Sequence, residues 1–207
     1  MERASVSKAT LGRLPQYLQL LNDLPEEEYT HISATTIAKM LSLGEVQVRK
    51  DLASVSGAGK PKLGYVTQEL KLNLENRIGC NRITQAVLVG AGKLGKALLD
   101  YDEFEKYGVR IVAAFDCNET AIDINSKISI QPIHRFEEFC RANEIHLGII
   151  TVGEGSAQDV CDQMVKSGIT AIWNFAPCRL QVPNGILLQY ENLALSLAHL
   201  KNQLSGK

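Results

Sequence analysis

The chain has 207 residues, 45% of them hydrophobic and 22% charged, with a formal net charge of −1. That length holds one large or two modest domains, and that apolar content excludes an intrinsically disordered chain. The near-zero charge carries no global signature of a polyanion partner. No run approaches the roughly 18 to 20 apolar residues of a membrane span, and Met1-Glu2-Arg3-Ala4-Ser5 lacks the apolar core of a secretory leader, so a cytoplasmic, non-membrane protein is expected.

The segment from Ser7 to about Arg77 reads as helical with one short hairpin at its end. Leu14, Leu18 and Leu21 recur at helical spacing. Pro15 is tolerable only in the first turn, so this helix is expected to run to about Asp23 after a separate short turn near Ala9 to Gly12. Thr30-His31-Ile32 reads as a brief extended stretch. Ser33 then caps a second helix carrying Ile37, Met40 and Leu41 inward, and Leu43-Gly44 breaks it. A third helix runs from Glu45 to about Ser54. After it Gly57, Gly59, Pro61 and Gly64 describe a turn-rich ribbon ending at Tyr65-Val66. Helix, glycine turn, helix and ribbon together make a winged helix-turn-helix.

On a wheel of roughly 100° per residue, Leu52 and Val55 fall within about 40° of Val48 and form the buried stripe of the third helix. Gln47, Lys50 and Ser54 face away, with Arg49 on the flank. These side chains suit base edges and phosphates in a major groove, and Lys60 and Lys62 on the ribbon suit the backbone or the minor groove. Five basic residues against Glu45 and Asp51 between Lys39 and Lys62 give a local excess of three. A solvated helix face would carry the same residues.

Asn76 to Ile83 reads as a linker or the end of a joining helix. From about Ala86 strands and helices alternate: Ala86 to Val89, a helix through Leu94 to Tyr101, Val109 to Phe115, Leu147 to Val152, a helix from Ala157 to Ser167, and Thr170 to Phe175. This pattern builds a parallel sheet with helices on its faces. The first strand leads into Gly90-Ala91-Gly92-Lys93-Leu94-Gly95, a G-x-G-x-x-G opening an amphipathic helix. Gly90 permits the tight turn, Gly92 admits the pyrophosphate to backbone N–H groups, and Gly95 lets helix and sheet approach. Asp116 ends the second strand a little over 20 residues on, where a carboxylate accepts from ribose hydroxyls and repels a 2′-phosphate. NAD(H) is therefore expected over NADP(H). Thr151, Val152 and Gly153, and Asn174 with Phe175, end other strands at the same crevice.

Five cysteines, at 80, 117, 140, 161 and 178, form no C-x-x-C pair, so no zinc or dithiol site is expected. They read mostly as small buried hydrophobes, with Cys117 beside Asp116 a candidate for oxidation. A dehydrogenase would need a substrate domain and a placed acid or base, and only about 130 residues follow the linker. Tyr101 and Tyr65 are followed at the fourth position by Glu105 and Glu69 rather than lysine, so neither offers a Tyr-x-x-x-Lys pair. A nicotinamide with nothing to reduce points to sensing. A last helix from about Glu191 to Leu204 places Leu193, Leu197, Leu200 and Leu204 on one stripe. It closes either its own core or a contact with a second copy, as a symmetric operator would require.

Over nearly its whole length the chain resembles the Rex family of redox-sensing repressors. The stretches that carry this are Ser7-Lys8-Ala9-Thr10-Leu11 with Arg13-Leu14-Pro15, Gln47 to Leu52, Gly64-Tyr65, Gly90 to Gly95, Ala113 to Asp116, and Asn174 to Pro177. The resemblance implies an α/β protein in three parts: a winged-helix DNA-binding domain over 1–80, a Rossmann NAD(H)-binding domain over 81–190, and a swapped dimerisation helix over 191–207. It implies a bacterial homodimer on palindromic operator DNA that NADH releases. Gln47, Arg49, Lys50, Ser54, Lys60 and Lys62 would meet DNA. Gly90 to Gly95, Asp116, Thr151, Val152, Asn174 and Phe175 would hold NADH or NAD⁺.

Some members join an arginine on the first helix, a tyrosine after the glycine-loop helix and an acid at the start of the last helix in a redox-dependent contact. Tyr101 and Glu191 match the latter two, whereas Gln19 stands at the first. The wing also departs from the family's aromatic pair and Gly-Lys-Arg-Gly run, and Gly153 stands where many members have proline. An apolar pocket near Phe175 and Tyr101 would favour the uncharged reduced ring over the cationic oxidised one. Two other readings remain open: a small NAD-dependent oxidoreductase, and a Rex-like paralogue without DNA binding.

Overall fold

The computed structural model describes residues 6–205, so the leader reading at Met1 to Ser5 and the last two residues of the 191–207 segment lie outside it. The chain divides into two compact units, 1–82 and 83–207.

The first unit opens with α1 (Lys8–Asp23), capped by Ser7, whose Oγ accepts from the Thr10 amide at 3.1 Å. The expected separate turn near Ala9 to Gly12 is absent. The helix is continuous, and Pro15 sits inside it rather than in its first turn. An interior proline costs about 3 kcal/mol through a lost hydrogen bond and a ring clash. The buried face of Leu14, Tyr17, Leu18 and Leu21 offsets that cost, since each fully buried large apolar side chain contributes about 1.5 to 3 kcal/mol.

A two-strand ribbon pairs β1 (His31–Ile32) antiparallel with β2 (Tyr65–Val66). Ser33 caps α2 (Ala34–Met40), accepting from the Thr36 amide. Ile37 is buried as expected, but Met40 points outward, 42% exposed. The helix ends there, so Met40 has no following turn to hold it inward. Then α3 (Glu45–Ser56) buries Val48 and Leu52 completely, with Val55 half-buried. Between α3 and β2 the Leu63 and Gly64 amides both donate to the Lys60 carbonyl, with Lys62 at φ 66°. Gly64 is obligatory: its φ is +82°, and a Cβ there would lie 2.3 Å from the Ile32 carbonyl oxygen. The ribbon leads into α4 (Thr67–Ile78), which ends at left-handed Gly79.

Asp51 ties α3 to α1. Its carboxylate, 1% exposed, accepts from Arg13 Nε at 2.7 Å, Tyr17 Oη at 2.7 Å and Thr10 Oγ1 at 3.0 Å. Burial pushes the Asp51 carboxyl up, but donation from Arg13, Tyr17 and Thr10 outweighs it and holds the group below its ordinary range. For Tyr17, burial and then the bond to Asp51 push the hydroxyl up to about 12. A raised folded value means stability that is complete below the unfolded value near 10 and is lost as pH climbs through 12, about 3 kcal/mol in all. Thermal melts followed by circular dichroism should therefore show a midpoint falling between pH 10 and 12, with Tyr17→Phe lacking that component.

The second unit is a six-stranded, wholly parallel sheet of β3 (Thr84–Val89), β4 (Val109–Asp116), β5 (Ile130–Pro132), β6 (Leu147–Ile150), β7 (Ala171–Asn174) and β8 (Leu187–Tyr190). Their spatial order is β5-β4-β3-β6-β7-β8, the doubly wound order with its reversal between β3 and β6. Strand β3 alternates its burial: Val87 and Val89 enter one core with Phe115, Phe136, Ile150 and Met164, while Ala86 and Leu88 enter the other with Leu99, Ala114 and Ile149. Helices α6 (Phe136–Ala142) and α7 (Glu154–Lys166) serve the first face, and α5 (Lys93–Leu99) the second. The last helix, α8 (Leu193–Ser205), leaves every leucine stripe position exposed. It does not close the core of its own unit.

Only Cys140 and Cys161 are buried as expected; Cys80 and Cys178 are half-buried and Cys117 is exposed. Burial pushes the Cys140 thiol up to about 12 and raises Cys161 as well, which leaves both inert. No helix among the described residues is long and apolar enough to cross a membrane.

Candidate nucleic-acid interface and dinucleotide crevice

The outer face of α3 carries Gln47, Arg49, Lys50 and Ser54, all exposed. They are not equally free. Arg49 pairs with Glu45 one turn earlier, Ser54 Oγ donates to the Asp51 carbonyl at 2.6 Å, and Gln47 Nε2 donates to the Asp51 carboxylate at 2.9 Å. Lys50, and Lys60 and Lys62 at the ribbon, are exposed and form no ion pair among the described residues. Three uncompensated ammonium groups in one small unit suit a polyanion more than a solvated face with matched charges.

In the second unit a crevice of about 470 Å³ lies beyond the carboxyl ends of β3, β4 and β6. Gly90, Gly92, Asp116, Thr151, Val152 and Gly153 line it. Its floor is fixed by steric necessity. Gly90 has φ +106°, and a Cβ would lie 2.8 Å from the backbone of Thr151 and Val152. At Gly95 a Cβ would lie 2.0 Å from the Gly90 carbonyl oxygen. A Cβ on Gly92, by contrast, would meet nothing within 4 Å. That open approach over a helix start is the space a pyrophosphate needs.

Asp116 accepts from the Ala91 amide at 2.6 Å through one oxygen and from the Asn118 amide at 2.8 Å through the other. A carboxylate has about four acceptor sites, so lone pairs remain for ribose hydroxyls. Thr151 Oγ1 donates to the Gly90 carbonyl at 2.7 Å and clamps the loop to β6. Residues in this chain thus fit a dinucleotide without rearrangement of the floor. Ser156, Asp159 and Gln163 of α7 complete the wall; being scattered on one helix, they escape motif reading.

Several expected cofactor residues do not turn their side chains into the crevice. Lys93 is exposed on α5, Leu94 is half-buried and Ala91 is buried, so these three present backbone rather than side chains. Asn174 is fully buried and spends its amide on Ala176 and Cys178, shaping the turn that carries Phe175. The Phe175 ring lies 4.4 Å from Trp173 at a tilt of 58°, Trp173 lies 5.8 Å from Phe104, and Phe104 lies 5.0 Å from Tyr101. Phe175 and Tyr101 are therefore ends of one aromatic string outside the crevice. Glu191 is half-buried, its amide donating to the Asn174 carbonyl, and Gln19 is exposed on α1.

Residue types missed in the sequence reading centre on Asp51. At 300° from Val48 it lies only 60° off the buried stripe, so the wheel held the signal. No group of three or more metal-ligating side chains occurs among the described residues.

Comparison with known proteins agrees with both halves. A family described as a CoA binding domain matches residues 81–178, and one described as a putative DNA-binding protein N-terminus matches residues 5–53. The redox-sensing transcriptional repressor Rex of Clostridium perfringens is 34% identical over 95% of this chain and 93% of its own; that of Clostridium tetani is 32% identical over 98% of each. The crystal structure of RSP with NAD⁺ and operator DNA superposes with a TM-score of 0.89 at 31% identity, covering 98% of this chain and 94% of RSP. The complex of RSP with NADH gives 0.86 at 32% identity, covering 97% and 95%. Extended over almost the full length of both partners, this similarity establishes that the chain belongs to the Rex family of redox-sensing transcriptional repressors.

Proposed function

We propose that this protein senses the NADH/NAD⁺ ratio and represses transcription, holding palindromic operator DNA as a homodimer while NADH is scarce and leaving it when NADH binds. The observation that supports this most is the pairing, in one chain, of the unpaired Lys50, Lys60 and Lys62 on α3 and its ribbon with a crevice lined by Gly90, Gly92 and Asp116. We assign residues 1–80 to DNA, 81–190 to the coenzyme and 191–207 to the second copy. A chromosomal operator places the protein in the cytoplasm.

Lys50 serves as the principal contact of α3, with Lys60 and Lys62 on the phosphates. Gly90, Gly92 and the Ala91, Lys93, Leu94 and Gly95 backbone hold the pyrophosphate, Asp116 the ribose, and Thr151 and Val152 the crevice wall. The ribose assignment also separates NADH from coenzyme A, whose ribose phosphate Asp116 would repel. The reduced ring is uncharged and the oxidised ring cationic, which is the chemistry available for discrimination beside the aromatic string of Phe175 and Tyr101. No catalytic residue is assigned, and Tyr101 and Glu191 serve the switch. Since Gln19 cannot make a charged bridge, that switch works without an ion pair at position 19. Reversing a 99:1 population needs about 5.5 kcal/mol of differential binding, which two sites in a dimer share.

The test is an electrophoretic shift on inverted-repeat duplexes with NADH titrated against excess NAD⁺. A shift that persists in NAD⁺ and is released by NADH is expected, and Lys50→Ala should weaken it more than tenfold with NADH affinity intact. No shift under any coenzyme condition, or steady NADH consumption with a carbonyl substrate, overturns the proposal.

A further inference from the structure

The buried Asp51 carboxylate accepts more hydrogen bonds than the fold requires of it. Arg13 Nε and Nη2, Tyr17 Oη and Thr10 Oγ1, all from α1, lie at 2.7, 3.0, 2.7 and 3.0 Å. Arg13 neutralises the charge, and these four bonds already tie α3 to α1. A fifth runs along α3 to the exposed Gln47, whose Nε2 lies 2.9 Å from Oδ1. Its consequence falls on Gln47.

A free glutamine amide on a helix surface can turn over and present either its oxygen or its nitrogen. A carboxylate only accepts, so Gln47 must give its NH₂ to Asp51 and hold its carbonyl oxygen away from it. We propose that Asp51 is a positioning residue for sequence reading, fixing Gln47 with its carbonyl oxygen and one remaining N–H outward so that α3 selects adenine in each half-site. Adenine alone offers the complement in the major groove, an N6 donor beside an N7 acceptor. Guanine presents two acceptors, thymine an acceptor and a methyl group, and cytosine a donor only. Because the amide is held before DNA arrives, its rotamer freedom is not lost on binding. This inference rests on the DNA-reading assignment above.

Full-length protein with NAD⁺ is used to select from a pool of inverted-repeat duplexes with randomised half-sites, and the bound fraction is sequenced. Wild type should favour adenine about tenfold or more over guanine and thymine at one half-site position. Gln47→Met and Asp51→Asn should lose that preference and keep those at other positions, since an asparagine can donate to the Gln47 carbonyl and let the amide turn. A second measurement does not depend on the folding of Asp51→Asn. Purine (lacking the N6 amine) or 7-deazaadenine (lacking N7) at that position should weaken wild type about tenfold and leave Gln47→Met unchanged. Selection of guanine or thymine at the Gln47-dependent position overturns the inference, as does a folded Asp51→Asn that weakens all duplexes equally. Enrichment of no duplex by wild type overturns the DNA-reading assignment itself, a result distinct from either.

Discussion

Asp116→Ala should weaken NADH binding about 10- to 100-fold and leave operator binding indifferent to NADH. Each hydrogen bond to a charged group contributes about 1.5 to 3 kcal/mol, and the role proposed for the carboxylate is to accept from the ribose hydroxyls. A second loss adds to the first. The Ala91 amide, in a residue 1% exposed, donates to Asp116 at 2.6 Å, and alanine leaves that N–H without a partner in the glycine turn. Asp116→Asn separates the two contributions: its carbonyl still accepts from Ala91, so the loop stays in place while the charge is gone. Calorimetric titration should rank wild type tightest, Asn intermediate and Ala weakest, with discrimination against NADPH falling in the same order. Equal NADH affinity in all three would remove Asp116 from the ribose site.

The cofactor half was the more legible in sequence because its signals are local. Gly90, Gly92 and Gly95 answer to steric needs at fixed spacing, and β3 and β4 are apolar runs long enough to stand out. Strands β5 and β8 escaped because one has three residues and ends in Pro132, and the other buries little of Leu187 to Tyr190. Helix α4 was hidden by its own pattern: Leu70, Leu72 and Leu74 alternate with polar residues at the period of a strand. Only Leu70 and Leu74, one turn apart, are buried; Leu72 is 55% exposed.

Around the DNA half the limits were of another kind. Pro15 pointed to a helix start, and tertiary burial of the α1 face overrode that local preference. Gln47 was readable as an outward residue of α3, but its orientation depends on a carboxylate whose other partners lie about 40 positions earlier in the chain. No local pattern reports a contact of that span. The Rossmann order of the sheet, likewise, became visible only through pairing between strands far apart in sequence.

Helix α8 supports the last expected result. Leu193, Leu195, Leu197, Leu200 and Leu204 are 61, 66, 67, 55 and 74% exposed. Thirteen residues is near the length at which an isolated helix is marginal in water, so α8 needs a surface to cover this face. In the proposed homodimer a second copy supplies one, as a palindromic operator would require. Leu197→Arg with Leu200→Arg would place two cations in that contact, where neither finds a partner, and sedimentation should shift from dimer to monomer. A monomer engages one half-site at a time and forfeits the effective concentration that links the two, so operator affinity should fall about 10²- to 10⁴-fold. NADH affinity should fall far less, because the crevice of Gly90, Asp116 and Thr151 is built within one unit. A double variant that stays dimeric and keeps its operator would show that α8 covers something other than a second copy.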